Sequence, residues 1–409
     1  MKQITMRVTK HCVAGTSAFI LAFLIGLYFF DFSFITKSVV GRHNEAAEFA
    51  STRESSKGSK TSEHAFVTLL AGFDPDNTKP LGSDSPYLGY LLHLATVRFM
   101  LDEAGAKSDV IVMVRILNGI NHTTLPKSQE TYLSKLGMRI KYLHPGEGEL
   151  FNSWVMEKFR ILDFSEYKRV LFFDADVLPQ CNWDHYVNVT MDNDDGSIFA
   201  PNLVFAFRNE PSQAGFFVMA PEPGAWEAIR QLPYINTTHG FGIPLEYPAE
   251  GAKVAYTEWS WHGSWIDQGM IYHWLRYVKK DVTIFNRNRV QRWKWNGSAT
   301  VLREIRDFPF TCPNHIDVAG EGTWGDFLVT HDFIHYTGNS KPWKHFNWSH
   351  PVDLSITRPT RHQIWPYALR MAWQKYDLGL VRDLFPNLLS NRDIEMVDGF
   401  LSRNFSTGL

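Results

Sequence analysis

With 409 residues, 44% hydrophobic and 14% aromatic, the chain is long enough for one large catalytic domain with appendages, or for two ordinary domains. A formal net charge of -2 carries no electrostatic footprint for nucleic acid. Three cysteines, Cys12, Cys181 and Cys312, exclude a disulfide scaffold and show no zinc spacing; Cys181 and Cys312 can pair only in an oxidising compartment.

The N-terminus reads as a membrane segment. Val13 to Phe30 carries no charge, and apolar character resumes from Phe32 to Ile35. That length crosses a bilayer core of roughly 30 Å as a helix. Lys2, Arg7 and Lys10 precede it, and a basic flank favours a cytoplasmic N-terminus. A cleaved signal peptide is the rival; its apolar core is shorter and ends in a small-residue cleavage site, and no convincing site follows here. The expectation is a cytoplasmic tail over 1–12, an uncleaved signal-anchor over 13–35 and a luminal stem over 36–63. The stem is polar, rich in Ser, Lys and Glu, and lacks apolar periodicity. Six N-x-Ser/Thr sequons, at Asn121, Asn188, Asn236, Asn296, Asn347 and Asn404, agree with a luminal domain. A Golgi membrane is expected, with the ER membrane as the alternative.

Beyond the stem, apolar runs alternate with helical patterns. Ala65 to Leu70 reads as a strand, Tyr87 to Ala104 as an amphipathic helix stopped by Gly105, and Val110 to Val114 as a buried strand. Lys127 to Leu136 reads as helix, Arg139 to Leu143 as strand, Val155 to Leu162 as helix, and a further strand ends at Asp174. Such alternation predicts an α/β fold with a parallel, doubly wound sheet, which binds ligands at the carboxyl ends of its strands. Later candidates are a strand over Gly215 to Ala220, a helix over Gly224 to Leu232, loops over Pro233 to Trp261, a helix over Trp265 to Val278, a strand over Val282 to Phe285 and a helix over Arg361 to Leu378. A main domain over 64–350 and a helical extension over 351–409 follow. No repeat and no G-x-G-x-x-G loop is present.

Two segments about 160 residues apart carry the chemistry. Arg169-Val-Leu-Phe-Phe-Asp-Ala-Asp-Val-Leu178 is an apolar strand ending in two carboxylates, Asp174 and Asp176, which leave the strand on the same side. Phe333-Ile-His-Tyr-Thr-Gly-Asn-Ser-Lys-Pro-Trp343 offers His335 and, six residues on, Lys341. Two carboxylates and an imidazole suit a hard-to-borderline divalent metal, and a lysine suits a phosphate oxygen. Together they describe a site for a metal-bound diphosphate. The bland readings are a capping pair of acids, a satisfied core histidine, a solvated lysine, a helix-face Lys158 and a helix-start Asp267. The tryptophans at 259, 261, 265, 293 and 295 fit either a core or an acceptor sugar.

These motifs resemble the DxD and HxxGxxKPW motifs of glycosyltransferase family 8, which includes glycogenin-like and galactinol-synthase-like retaining enzymes. The resemblance runs from about Ala65 to Trp343. It implies a GT-A fold, a Rossmann-like mixed sheet flanked by helices, and transfer of a hexose from a UDP-sugar to a carbohydrate or glycoconjugate acceptor with retention. It implies Mn2+ held by Asp174, Asp176 and His335. Lys341 and Gly338, in the second motif, and Lys158, upstream of the first, match donor-binding positions. Asp267 and Gln268 resemble a DQ motif near the reacting sugar, and with Lys341 make the expected catalytic group. The family often has Asn-Ser-Gly where this chain has Gln213-Ala214-Gly215, so the usual asparagine contact is absent. A haloacid-dehalogenase-like phosphatase shares a strand-D-x-D segment but leaves His335 and Lys341 unexplained. A luminal nucleotide-sugar-binding pseudoenzyme has no need of both metal and lysine sets.

Overall fold

Strands whose odd and even residues are both apolar must be covered on both faces, and this rule builds the centre of the molecule. In the computed structural model the described residues run from 61 to 402, with breaks at 76–86, 145–150, 192–196, 208–209, 231–266, 287–288, 299, 307–311, 315–328, 331, 338–340, 347, 349–360 and 386–390. The expected tail, signal-anchor and most of the stem lie outside the described residues. So do Gly338, the Pro233 to Trp261 segment and Trp265. No helix among the described residues is long and apolar enough to cross a membrane.

The first half alternates as expected: β1 (His64–Phe73), α1 (Tyr87–Glu103), β2 (Asp109–Ile116), α2 (Lys127–Lys135), β3 (Arg139–Tyr142), α3 (Phe151–Met156), then β4 (Arg169–Phe173). The helix expected over Val155 to Leu162 is instead the end of α3 followed by a tighter 3-10 helix over Glu157–Asp163, which buries Glu157 and Lys158. Gly105, at a φ of 76°, ends α1 in the left-handed conformation that favours glycine.

The second half is less regular: β5 (Val177–Pro179), α4 (Asp184–Val189), β6 (Leu203–Phe207), β7 (Glu210–Met219), α5 (Ala225–Arg230), α6 (Asp267–His273), β8 (Asp281–Asn286), β9 (Arg289–Trp295) and β10 (Thr300–Arg306). Then come β11 (Val329–Thr330), β12 (Phe333–His335), α7 (Pro342–His345), α8 (Arg361–Lys375), α9 (Val381–Leu384) and α10 (Asn391–Ser402). The helix expected over Trp265 to Val278 divides into α6 and a wider π turn over Trp274–Lys279.

Among the described residues nine strands form one sheet in the order β10-β9-β8-β6-β7-β4-β1-β2-β3, and β11-β12-β5 form a second. The sheet is mixed, as the resemblance implies, and not parallel throughout, as the alternation alone predicts. β3, β2, β1 and β4 are parallel, but β7 runs antiparallel to both β4 and β6, and β9 to both β8 and β10. Strands β6, β9 and β10 escape the pattern because the sequence after Asp176 lacks the regular spacing of helices.

The two faces sort by parity. Phe66, Val112, Val114, Leu171, Phe173, Phe216 and Val218 point into one core; Ala65, Val67, Ile111, Met113, Val170, Phe172, Phe217 and Met219 point into the other. The first core is closed by α1 and α8. Lys375 donates to Glu103 at 2.9 Å and Tyr376 to Asp102 at 2.7 Å. With the sheet on one side and α8 on another, α1 buries residues nearly all round rather than along one stripe.

Order β3-β2-β1-β4 places the reversal of strand progression between β1 and β4. A crevice opens at the carboxyl ends of strands at such a switch point, and Asp174 is the first residue after β4.

Candidate active site

Pairing of β5 with β12 explains how two distant motifs meet. Val177 lies opposite His335, Leu178 opposite Ile334, and Pro179 opposite Phe333. The amide of Tyr336 donates to the Asp176 carbonyl at 3.0 Å. A short antiparallel ladder therefore sets His335 beside the acidic pair. The ladder is anchored behind by Asp332, whose carbonyl accepts Gln180 N at 3.0 Å and Trp183 Nε1 at 3.1 Å, and whose carboxylate accepts Tyr186 Oη at 2.5 Å. A disulfide joins Cys181 to Cys312 at the end of β5, so the conditional pairing of these two cysteines is present.

His335 Nε2 lies 3.2 Å from Asp176 Oδ1 and 3.7 Å from Asp174 Oδ2. One ligand atom from each of Asp174, Asp176 and His335 falls within 4.8 Å of the others. Burial pulls the His335 imidazole down to about 4, against the pull of Asp174, so it is neutral near pH 7 and keeps a lone pair. Two hard oxygens and one borderline nitrogen, mutually close and with the imidazole neutral, fit a divalent cation such as Mn2+.

Two lysines flank the acidic pair. Lys341, ahead of α7, donates to Asp176 Oδ2 and, at 2.6 Å, to the Tyr336 carbonyl. Burial pulls its ammonium down to about 8, with Asp174 opposing. At that value the ammonium is still mostly charged near pH 7. Lys158 reaches in from the 3-10 helix, 3% exposed. It donates to Asp174 Oδ1 at 3.1 Å, to the Ala214 carbonyl at 3.1 Å and to Asp267 Oδ2 at 2.6 Å. Burial lowers the Lys158 pKa, but Asp174 and Asp267 outweigh it and the net shift is upward.

Asp267 and Gln268 open α6. Asp267 Oδ1 accepts the Gln268 amide at 3.0 Å. The structure thus gathers Lys158, Asp174, Asp176, Asp267, His335 and Lys341. Gln268 joins through its backbone, its side-chain Oε1 being buried without a partner among the described residues. Gly338 lies outside them.

The segment Ser212 to Gly215 of β7 touches Gln268, His335, Lys158 and Asp174. Ser212 Oγ donates to the Gln268 carbonyl at 2.9 Å, and the Gln213 amide nitrogen lies 2.5 Å from His335 Nδ1. The Ala214 carbonyl accepts Lys158, and the Gly215 carbonyl accepts Asp174 N at 2.8 Å. A Cβ at Gly215 would stand 2.5 Å from His335 Cε1 and 2.9 Å from Asp174 Oδ2, so only glycine fits there. Sequence reasoning kept Gly215, treated Gln213 as a departure and passed over Ser212. It also missed His93 of α1, whose Nε2 lies 3.1 Å from the Val177 carbonyl, just after the acidic pair. Burial pulls His93 down to about 3, with the Val177 carbonyl opposing. Its only signal in the sequence is a histidine inside an apolar helix. Trp343 packs against α1, where a Cβ at Gly89 would meet its ring. Its ring lies 5.0 Å from that of Tyr90 and 5.3 Å from that of His93.

No protein-family model matches the chain, and no curated protein matches it. Among solved structures it is similar to the glycosyltransferase GlyE of Streptococcus pneumoniae TIGR4, at 15% identity and a TM-score of 0.30, over 54% of this chain and 44% of that one. The chain thus spans less than half the length of GlyE. It is also similar to galactosyltransferase LgtC in complex with donor and acceptor sugar analogs, at 12% identity and a TM-score of 0.26, over 51% and 69% of the two chains. A third is a glycosyltransferase involved in glycosylation of the major capsid of PBCV-1, at 9% identity and a TM-score of 0.26, over 55% and 82%.

Proposed function

We propose that the chain is a metal-dependent GT-A glycosyltransferase of the family 8 kind, moving a hexose from a UDP-sugar to a carbohydrate or glycoconjugate acceptor with retention. The observation that carries this reading is the convergence of Asp174, Asp176 and His335 with Lys341 at the carboxyl end of β4. A phosphatase reading leaves His335 and Lys341 without work, and a binding module has no need of a buried lysine pair.

In the transfer, the C1–O bond to the diphosphate breaks and its electron pair leaves with UDP. The acceptor oxygen bonds C1, and its hydroxyl proton passes to the departing diphosphate oxygen or to solvent. Asp174, Asp176 and His335 would hold a divalent ion, Mn2+ in this reading, which supplies Lewis-acid neutralisation of the leaving diphosphate when bound. Lys341 brings a positioned cation to the same charge. Lys158 fixes Asp174 and Asp267 relative to each other. Asp267, held by Lys158 and the Gln268 amide, presents a fixed negative charge suited to sugar hydroxyls or to positive charge at C1.

The buried disulfide supports an oxidising compartment. Of the sequon asparagines, Asn121, Asn188 and Asn296 are exposed; Asn236, Asn347 and Asn404 lie outside the described residues. Placement as a type II Golgi membrane protein, anchored by residues 13–35, belongs to this proposal. Glycosidase treatment of protein from a secretory host should increase its gel mobility, and no shift at all counts against a luminal domain.

The deciding experiment incubates the purified chain with Mn2+ and, in turn, UDP-glucose, UDP-galactose, UDP-N-acetylglucosamine and UDP-glucuronate. UDP release from at least one donor, abolished by EDTA and lowered by several kcal/mol of transition-state stabilisation in Asp176→Asn, is expected. Full activity in EDTA, or release of phosphate from p-nitrophenyl phosphate without any donor turnover, overturns the reading.

A further inference from the structure

An imidazole that ligates a metal through one nitrogen needs an outer partner that fixes its other nitrogen. In β7 the register against β6 jumps from Phe205 opposite Gln213 to Val204 opposite Phe217, so Ala214, Gly215 and Phe216 have no partner on β6. A bulge re-aims the side chains beside it. Here Gln213 is buried with its amide nitrogen 2.5 Å from His335 Nδ1. Gly215 leaves the space beside the imidazole that any Cβ would fill.

On the opposite edge of the ring, Nε2 lies between the two carboxylates, 3.2 Å from Asp176 Oδ1. In this arrangement Nε2 carries the proton and points it at acceptors, while Nδ1 accepts from the amide. Ligation through Nε2 requires the other tautomer, with the proton on Nδ1 and an acceptor facing it. A primary amide supplies both partners: a half-turn about its last bond exchanges NH2 for carbonyl oxygen at one place. Gln213 Oε1 has no hydrogen-bond partner among the described residues, so the half-turn breaks only the bond that it re-forms.

We propose that Gln213 is the positioning residue of the metal centre. Its amide donates to His335 Nδ1 in the metal-free site and turns over to accept Nδ1–H when Nε2 binds a divalent cation. The ring proton moves from Nε2 to Nδ1 by way of solvent. This inference rests on the metal reading given under the proposed function. It gives the residue that departs from the family's usual asparagine a task on the protein side of the ion, away from the donor.

The test titrates Mn2+ into the full-length chain and follows free Mn2+ by electron paramagnetic resonance. Gln213→Met keeps an unbranched chain of similar size but removes both hydrogen-bonding groups. Gln213→Glu keeps an acceptor for Nδ1–H. The Met variant should bind Mn2+ about 10- to 100-fold more weakly than the parent, and the Glu variant at least as tightly as the parent. Thermal unfolding of the metal-free proteins reports whether each variant is folded. Should the Met variant fail to fold, the Glu variant decides: affinity equal to or above the parent supports the proposal, and weaker binding overturns it. Equal affinities of the Met variant and the parent overturn this inference alone. A parent chain that takes up no Mn2+ removes the metal reading, and this inference with it.

Discussion

Lys158 Nζ lies 2.6 Å from Asp267 Oδ2 and 3.1 Å from Asp174 Oδ1, one buried ammonium between two carboxylates that stand 109 and 16 positions from it in the sequence. Removing it leaves two acids facing each other with no cation between them. Lys158→Ala should destabilise the fold by roughly 3 kcal/mol, as expected when one partner of a buried pair is lost. The midpoint of denaturant unfolding measures this. A second substitution, Asp267→Asn, should return part of the loss, because it relieves the repulsion. No recovery in the double variant argues that the lysine acts through packing alone.

In the proposed transfer, Lys341→Ala should lower turnover more than it weakens donor binding, because charge would build on the diphosphate as the C1–O bond breaks. Steady-state kinetics with the best UDP-sugar separate the two. A change confined to KM, with kcat intact, assigns Lys341 to uniform donor binding.

Gly215→Ala puts a methyl group 2.5 Å from His335 Cε1 and 2.9 Å from Asp174 Oδ2. Something must shift, and the closest atoms belong to two of the three candidate metal ligands. The expected cost is about 1–3 kcal/mol in stability, as for an overpacked core. Mn2+ affinity should fall at least tenfold. Affinity equal to the parent's would show that His335 moves aside without leaving the ion.

The acid side of the stability profile follows from buried histidines. His93 is held down to about 3 and His273 to about 4, in each case chiefly by burial. Their ordinary value is 6.5. With folded values depressed, the unfolded chain binds more protons, so their contribution is fully present above about pH 6.5 and is lost as pH falls towards 4 and below. His93→Gln should reduce proton uptake on unfolding by about one in this window. An unchanged slope of stability against pH would remove His93 from the account.

The Cys181–Cys312 bond spans a sequence separation of 131 residues. Closing so long a loop restricts the unfolded chain. Cys312→Ser with Cys181→Ser should lower stability by roughly 2–5 kcal/mol. Because Cys181 lies two residues beyond β5, Mn2+ affinity should fall as well, while reduction of the parent chain should reproduce both effects. A double variant as stable as the parent contradicts the assignment.

How much of this was legible beforehand depends on how each residue reaches the site. Asp174 and Asp176 were readable because they end an apolar strand, and His335 with Lys341 because Gly338, Pro342 and Trp343 surround them in one run. Ser212 was not readable. Alternation along a strand assigns Ser212 and Gln213 to opposite faces, yet the bulge in β7 lets four successive residues contact one centre, two of them through backbone carbonyls. His93 was hidden because it lies in an apolar helix and its contact near the acidic pair is with the Val177 backbone carbonyl, which leaves no pattern in side-chain chemistry. The antiparallel strands β9 and β10 were missed for a different reason. β10 lies at the edge of the sheet with Val301, Leu302 and Ile305 exposed, so its residues follow no inside-outside alternation.

The disulfide also sets the covalent topology of the centre. Residues 182–311, with Gln213, Gly215 and Asp267, belong to a closed ring, whereas Asp174 and Asp176 lie on the arm entering it and His335 and Lys341 on the arm leaving it. A single peptide-bond cut within that ring yields two polypeptides that stay tethered at Cys181 and Cys312. The acidic pair then travels on one and the histidine on the other. Such a nicked molecule runs as one species on a non-reducing gel and as two after reduction. The two arms that carry the candidate metal ligands part only when the sulfur bridge itself is opened.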